Sequence, residues 1–219
     1  MKVPYIDIHT HHSLNSEEIL GVQSLFLQDL DFQSIINTPF SAAIHPWHAS
    51  KYESKQVGLL LEKLINQPNL IAIGETGLDK ICPANYMLQK EVFELHLAFA
   101  EKLDKPMIIH AVKSWNDLTG YLKSVKVPCI LHGYSEGVVL TKQLINMGCY
   151  FSLGKSILQA SPRIKEAIEI IPVASLFLET DDSHESIKEI YREVSQIVNL
   201  SLESLKNQVY SNFRALFYG

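Results

Sequence analysis

Short apolar runs that each end in an ionisable residue recur along this chain of 219 residues. Between them lie longer stretches whose apolar residues recur every three to four positions, as in an amphipathic helix. Strands that alternate with helices predict an α/β fold with a parallel sheet, because parallel strands need long crossover connections. The predicted strands are YIDIHTH, FSAAIH, LIAIGET, PMIIHAV, PCILHGY, CYFSLGK and SLFLET.

About seven βα units with no Pro/Gly/Ser-rich linker between them predict one domain over residues 1–219. Ionisable residues close most of these strands, which favours a TIM-type (β/α) barrel, since a barrel gathers all its strand ends at one face. The segment from Ser24 to Ile35 is predicted to hold a short extra strand or a hairpin, with no well-formed helix. The final segment SLESLKNQVYSNFRALF is predicted to be a closing helix with Ser201 as its N-cap.

The clearest helix is QKEVFELHLAFAEKLD, residues 89–104. Its apolar face is broad enough to be covered by a parallel sheet. The members of that face are Val92, Phe93, Leu95, Leu97, Phe99 and Ala100.

Composition bounds the location and the partners. A net charge of −5 without any Arg- or Lys-rich tract argues against a protein whose main task is gripping nucleic acid electrostatically, although a local basic groove stays open. The cysteines Cys82, Cys129 and Cys149 are odd in number and lack CxxC spacing, which favours reduced thiols. No secretory leader pattern and no apolar run of about 18 residues is present, so we expect a cytoplasmic protein without a membrane partner. The oligomeric state stays open.

The first strand carries Asp7, His9 and His11 at alternate positions. Strand residues two apart point to the same face, so these three side chains share one side of the sheet. Two imidazoles spaced in this way can bind one divalent cation. Taken alone, the pattern is equally compatible with a hydrogen-bonded polar cluster.

Four further strands end in groups able to bind a metal. These groups are Glu75, His110, His132, Glu179 and Asp181. So many histidines and carboxylates exceed the ligand set of one tetrahedral zinc ion and fit two neighbouring cations. Paired cations stabilise the attacking and the leaving oxygen of a displacement, so the predicted chemistry is hydrolysis.

The blocks DIHTHH, AIHPWH, IGETGLD, PMIIH, LHGYSEG, YFSLG and LETDD occur in one order and spacing. In that order the chain resembles the TatD-like metal-dependent hydrolases, which have an amidohydrolase-type barrel. The resemblance runs from Tyr5 to the C-terminal NFRALF. It implies a divalent-metal hydrolase, and many members of the family cut phosphodiester bonds in DNA from the 3′ end. The implied substrates are nucleic-acid ends or small phosphate esters.

The resemblance assigns His9, His11 and Asp181 to the first of two divalent ions. Asp181 would also take a proton from the attacking water. Glu179 lies on the same face as Asp181, where a hydrogen bond to a ligand histidine is the usual role. Asp7 is expected to support the two histidines from below in the barrel.

The resemblance assigns His110 and His132 to the second ion, with Glu75 as the catalytic carboxylate that bridges both ions. Histidine and carboxylate ligands accommodate Zn²⁺, Mg²⁺ or Mn²⁺, so the identity of the metal stays open. Asp79 is expected to cap the loop that follows its strand.

Substrate contacts are implied for His45, His48 and Tyr134. The two histidines match a family position near the substrate, with a histidine that caps the loop after the second strand as the alternative. Tyr134 could stack on a base, and ordinary packing is its alternative.

Two motifs depart from the family pattern on the substrate side. Val112 and Lys113 stand where family members usually carry an Arg-Asp pair, and lysine lacks the bidentate fork of arginine. Lys80 follows GLD in place of an aromatic pair and an arginine, and is expected to supply positive charge. The chain is also some tens of residues short between His11 and His45, which predicts a smaller, seven-strand barrel.

Two other functions stay open. The same two ions could hydrolyse an amide or a lactone, since a fold does not fix its substrate. A non-catalytic binding module could instead use Trp47, Trp115 and Tyr134 as a recognition surface.

Overall fold

The computed structural model describes residues 3–12, 16–32 and 36–219. The chain divides into two compact units, Met1–Gln23 with Leu131–Gly219 and Ser24–Ile130. The single domain predicted over residues 1–219 stays a prediction. Among the described residues, no helix combines the length and the apolar character needed to cross a membrane.

The described residues form eight strands and seven α-helices. The strands are β1 (Tyr5–Thr10), β2 (Ile19–Phe26), β3 (Phe40–Ala43), β4 (Leu70–Asp79), β5 (Met107–Val112), β6 (Cys129–Leu131), β7 (Tyr150–Leu153) and β8 (Leu176–Leu178). The helices are α1 (Ser54–Glu62), α2 (Tyr86–Leu103), α3 (Trp115–Leu122), α4 (Val138–Asn146), α5 (Pro162–Glu169), α6 (Ile187–Ile197) and α7 (Leu202–Tyr218).

In the first unit, parallel pairing joins β7 to β8 and β1 to β2. Just past the end of β8, the backbone N–H of Asp181 donates to the carbonyl of His9 at 2.9 Å. Helices α6 and α7 pack on β1 and β8. The buried Tyr191 ties α6 to β1, because its hydroxyl donates to the carbonyl of Ile6 at 3.0 Å and accepts from the Ile6 N–H at 3.1 Å. These contacts fix the strand ends that carry the histidines.

In the second unit, β4 pairs in parallel with β3 and with β5. All ten residues of β4 are buried, as expected of a parallel strand covered on both faces. Helix α2 packs on β4 and α1 packs on α2. The strand therefore delivers its polar residues, Glu75 and Asp79, from a rigid buried position.

The prediction of about seven strands is one short. The additional strand is β2, whose sequence ILGVQSLF interrupts its apolar residues with Gly21, Gln23 and Ser24. Part of the segment from Ser24 to Ile35 completes β2, and a 3-10 turn follows at Leu27–Asp29. The end of that segment, residues 33–35, lies outside the described residues.

Other local predictions are confirmed. Ser201 caps α7 by accepting a hydrogen bond from the N–H of Ser204 at 3.1 Å. Cys82, Cys129 and Cys149 are not joined by disulfides, and the last two are buried. Burial raises the pKa of the Cys149 thiol to about 12, which keeps it protonated.

Candidate metal centre

His9, His11 and Asp181 lie together at the strand ends of the first unit. The Nε2 atoms of His9 and His11 lie 3.4 and 3.6 Å from Oδ1 of Asp181. Two ligand atoms about 2.1 Å from one ion at a tetrahedral angle are separated by about 3.4 Å. The three side chains are therefore spaced as ligands of one cation.

The backbone positions Asp181 against the end of β1. Its N–H donates to the carbonyl of His9, and its own carbonyl accepts from the N–H of His11 at 3.0 Å. Its φ of +55° lies in the left-handed region, which aspartate tolerates better than most residues. This anchored backbone holds the carboxylate over the two histidines while the Asp181 side chain stays 30% exposed.

His132 and Glu179 form a second contact in the first unit. Oε1 of the fully buried Glu179 lies 3.2 Å from Nδ1 of His132 and accepts from the N–H of Gly133 at 2.7 Å. The His132 ring lies 4.6 Å from the ring of His9. A carboxylate on one ring nitrogen fixes the tautomer and leaves the other nitrogen for a ligand.

Asp7 lies below the histidines and accepts two hydrogen bonds from Thr180. The Thr180 N–H donates to Oδ1 at 3.0 Å and its hydroxyl donates to Oδ2 at 2.6 Å. Burial raises the pKa of Asp7 to about 7, although the Thr180 hydrogen bonds act in the opposite direction. Asp7 therefore orders the residue directly before Asp181.

In the second unit, His45, Glu75 and His110 come together. Oε1 of Glu75 lies 2.6 Å from Nδ1 of His110 and 3.2 Å from Nε2 of His45. All three residues are buried, and one ligand atom from each lies within 4.8 Å of the others. Glu75 and His110 offer a carboxylate and an imidazole to a divalent cation, and His45 lies against Glu75 as a hydrogen-bond partner.

The turn after β3 positions His45. Its Nδ1 accepts from the N–H of Trp47 at 3.2 Å at the start of a 3-10 helix, Pro46–Lys51. His45 therefore caps the loop, as the alternative prediction held. The hydrogen bond at Nδ1 directs Nε2 towards Glu75. The sequence placed His45 only on the substrate side, whereas the structure groups it with Glu75 and His110. Pro46, directly after His45, is the signal of a tight turn at this strand end.

Asp79, at the end of β4, connects the loop to the histidine set. Its Oδ1 accepts from the N–H groups of Ile81 and Cys82 at 2.8 and 3.1 Å, which confirms the predicted cap. Its Oδ2 accepts from Nε1 of Trp47 at 2.8 Å and lies 3.4 Å from Nε2 of His110. Burial pushes the pKa of Asp79 up, but these hydrogen bonds outweigh it and hold the pKa below its usual value.

The residues predicted to contact the substrate differ from one another in exposure and in their partners. Lys80 pairs with Asp117 at 2.7 Å. Lys113 is exposed, with a φ of +51°. Nδ1 of His48 lies 2.8 Å from Nε2 of Gln28, and burial lowers the pKa of its ring.

Tyr134 lies in the core of the first unit. It is 2% exposed, and its ring centroid lies 4.9 Å from that of Phe151. Its hydroxyl is 2.8 Å from that of Thr141, and burial raises its pKa to about 12. This environment corresponds to the packing alternative.

Comparison with known proteins gives consistent matches. A family model described as TatD related DNase matches residues 33–218. An "Uncharacterized metal-dependent hydrolase" of Buchnera aphidicola subsp. Baizongia pistaciae is 31% identical over 199 residues, covering 83% of this chain and 74% of that protein. An "Uncharacterized metal-dependent hydrolase TatD" of Mycobacterium tuberculosis is 29% identical over 150 residues, covering 64% of this chain and 56% of that protein.

Among solved structures, YJJV, a TatD homologue from Escherichia coli K12, matches with a TM-score of 0.84. The match covers both chains completely at 19% sequence identity. This likeness confirms the α/β TIM-type (β/α) barrel as the fold class.

Proposed function

We propose, since this chain belongs to the TatD-related DNase family, that it is a divalent-metal-dependent hydrolase of phosphodiester bonds. Its substrates would be nucleic-acid ends or small phosphate esters. The relatives named above are described as metal-dependent hydrolases, and the family description names a DNase. Both descriptions agree with the chemistry of the strand ends.

The observation that carries this proposal is the grouping of imidazoles and carboxylates at the strand ends of each unit. His9, His11 and Asp181 would hold one ion. Glu75 and His110 would hold a second, beside His45, whose Nε2–H donates to Glu75. When bound, a divalent ion polarises a phosphoryl oxygen and favours ionisation of a water molecule. The predicted bridging by Glu75 and the assignment of His132 to the second ion stay predictions.

The protein's own residues supply the proton acceptor and its orientation. Asp181 is the proposed base, because its partly exposed carboxylate can reach a water molecule while its backbone is fixed on β1. Glu179 would orient His132, and Asp7 would orient Thr180. Held positions of this kind reduce the reorganisation needed when the bond breaks.

A second candidate is hydrolysis of an amide or a lactone on the same ligands. It is favoured by the pairing of Lys80 with Asp117, because the carboxylate balances a positive charge that a phosphate substrate would need. Lys90 shares the same carboxylate at 2.5 Å. The positive charge available to a phosphate is therefore smaller than the number of lysines indicates.

The assay compares the wild type with Asp181→Asn and Glu75→Gln, each with Mg²⁺, Mn²⁺ or Zn²⁺. The substrates are single-stranded DNA and bis-p-nitrophenyl phosphate. Removing the base is expected to lower kcat by about 10²–10⁴-fold. Asp182→Asn is the matched control, because this neighbouring carboxylate is exposed and pairs with Lys155 at 2.7 Å.

Equal activity of the wild type and both site variants would contradict the assignment. Cleavage of a lactone panel without any phosphodiesterase activity would favour the second candidate. Circular dichroism of each variant verifies that a loss of activity does not reflect unfolding.

A further inference from the structure

A cleft of about 480 Å³ opens beside the histidine set of the second unit. It is lined by Trp47, His48, Lys51, Asp79, Ile81, Cys82 and Pro83. Asp79 links the cleft to the site, since its Oδ2 lies 3.4 Å from Nε2 of His110. The volume lies within the range of about 300–1,000 Å³ typical of small-ligand pockets.

Trp47 forms one wall of this cleft with a fixed but exposed ring. Its Nε1 donates to Asp79 at 2.8 Å, and the ring centroid of His45 lies edge-on at 4.8 Å. The side chain is nevertheless 58% exposed. A fixed indole with an open face presents a preorganised surface for a planar ring, because it loses little conformational freedom on binding.

The other wall is anchored by the same carboxylate. Asp79 Oδ1 holds the N–H groups of Ile81 and Cys82, and Ile81 is 62% exposed. Asp79 thus ties Trp47, Ile81 and His110 together. A ligand between the two walls would be held at a fixed distance from Glu75, which contacts His110.

The lining indicates the chemistry of the occupant. Its walls are largely apolar, which suits a flat ring, and the exposed Lys51 adds a cation that suits a phosphate nearby. A nucleotide combines both features. Stacking on an indole accepts any base, since every base has a π-face.

We propose that this cleft takes the nucleobase of the nucleotide next to the scissile phosphate, with the base stacked on Trp47. The inference rests on the proposed phosphodiesterase function and names its substrate contact. It also assigns the positive charge on the substrate side to Lys51, a residue that no family motif singled out.

Kinetics on two phosphodiesters test the contact. Thymidine 5′-(p-nitrophenyl phosphate) carries a base, and methyl p-nitrophenyl phosphate does not. Trp47→Ala is expected to raise KM for the thymidine ester about tenfold with kcat nearly unchanged, because the variant loses the stacking of the base on the indole, and a tenfold change corresponds to about 1.4 kcal/mol. The KM for the methyl ester should not change. For the thymidine ester, the KM of Trp47→Phe should lie between the KM of the wild type and that of Trp47→Ala. Leu59→Ala, which removes an exposed apolar side chain on α1, should have the KM of the wild type.

A binding measurement separates this inference from the proposed function. The chain has two tryptophans, so Trp115→Phe leaves Trp47 as the sole indole. Thymidine 5′-monophosphate in Mg²⁺ buffer should quench the fluorescence of Trp115→Phe but not that of Trp47→Phe. Ribose 5-phosphate should quench neither.

Quenching without any hydrolysis would support the cleft and contradict the phosphodiesterase. Hydrolysis of the thymidine ester with the same KM in Trp47→Ala and the wild type would overturn the cleft and leave the phosphodiesterase standing. An equal rise in KM for both esters would overturn the base as occupant, because the shared nitrophenyl ring would then fill the cleft.

Discussion

Gly77 has room for a hydrogen atom and nothing larger. A Cβ at this position would lie 2.0 Å from the carbonyl oxygen of His110 and 2.9 Å from its backbone nitrogen. The two residues are partners in the parallel register of β4 and β5. This close approach sets the separation of the strands where Glu75 and His110 meet, which gives the second glycine of IGETGLD a physical reason.

Gly77→Ala is therefore expected to lower the free energy of unfolding by about 3 kcal/mol, the upper end of the cost of overpacking, because the clashing atoms are backbone. Urea unfolding of metal-free protein measures this change. Gly58→Ala on α1 is the matched control, since a Cβ there meets nothing within 4 Å. It should leave stability unchanged or raise it by up to about 1 kcal/mol. Equal stability of both variants would contradict the packing explanation.

Single residues also show where sequence reasoning stops. The residue types and strand-end positions of His9, His11, Glu75 and Asp181 were readable, because strand periodicity and metal chemistry are local properties. Which histidines lie next to one another in the fold could not be predicted from the sequence. His45 faces Glu75 with Nε2 because the N–H of Trp47, in the turn at Pro46, donates to its Nδ1. The contact with Glu75 joins residues far apart in the chain, so the local sequence does not indicate it.

At the scale of elements, α2 was predicted within a few residues. The predicted range 89–104 compares with Tyr86–Leu103, which begins after the N-cap Asn85. The predicted apolar face contained Leu95 and Leu97, which are only half-buried, and omitted His96, which is fully buried. His96 lies on the stripe of Val92, Phe93, Phe99 and Ala100, so a reading confined to apolar types missed it.

His96 is buried because both ring nitrogens have backbone partners. Nε2 accepts from the N–H of Ile44 at 3.0 Å, and Nδ1 donates to the carbonyl of Val92 at 2.7 Å. Burial lowers the pKa of His96 to about 4. The unfolded chain, with a pKa near 6.5, binds the proton more readily between about pH 4 and 6.5, so acid favours unfolding in that window.

The contribution of His96 to stability should fall by about 2 kcal/mol between pH 7 and pH 5. In urea unfolding, the gap between the wild type and His96→Gln should shrink by that amount, since glutamine does not titrate. His184→Gln, at an exposed histidine, is the control substitution. A wild-type-to-His96→Gln gap of the same size at both pH values would rule out this role for His96.

Strand β2 marks the limit of element prediction. Its polar and glycine residues blur both the alternating and the continuous apolar patterns. Its place is secured instead by backbone pairing with β1, in which Tyr5 pairs with Ile19 and Ile6 with Leu20. Pairing of this kind is a property of the sheet and leaves a weak trace in the local sequence.

At the scale of the whole molecule, the fold class was predictable because most of the predicted strands end in an ionisable residue. The substrate was less accessible. The departures at Val112, Lys113 and Lys80 remove the usual phosphate-side arginines, and the structure adds an aromatic cleft at Trp47 whose role no single motif reveals. Both features depend on loops, which vary while the barrel stays constant.

Whether the strand ends bind divalent metal is decided by the number of ions bound per chain. Purified protein is loaded separately with Zn²⁺, Mn²⁺ and Mg²⁺ and freed of excess ion. Elemental mass spectrometry then measures the metal content per chain. We expect about two equivalents per chain for at least one metal, and fewer in a double variant, His110→Ala with Asp181→Ala. Less than one equivalent in the wild type with every metal would show that the strand ends do not form the inferred metal site.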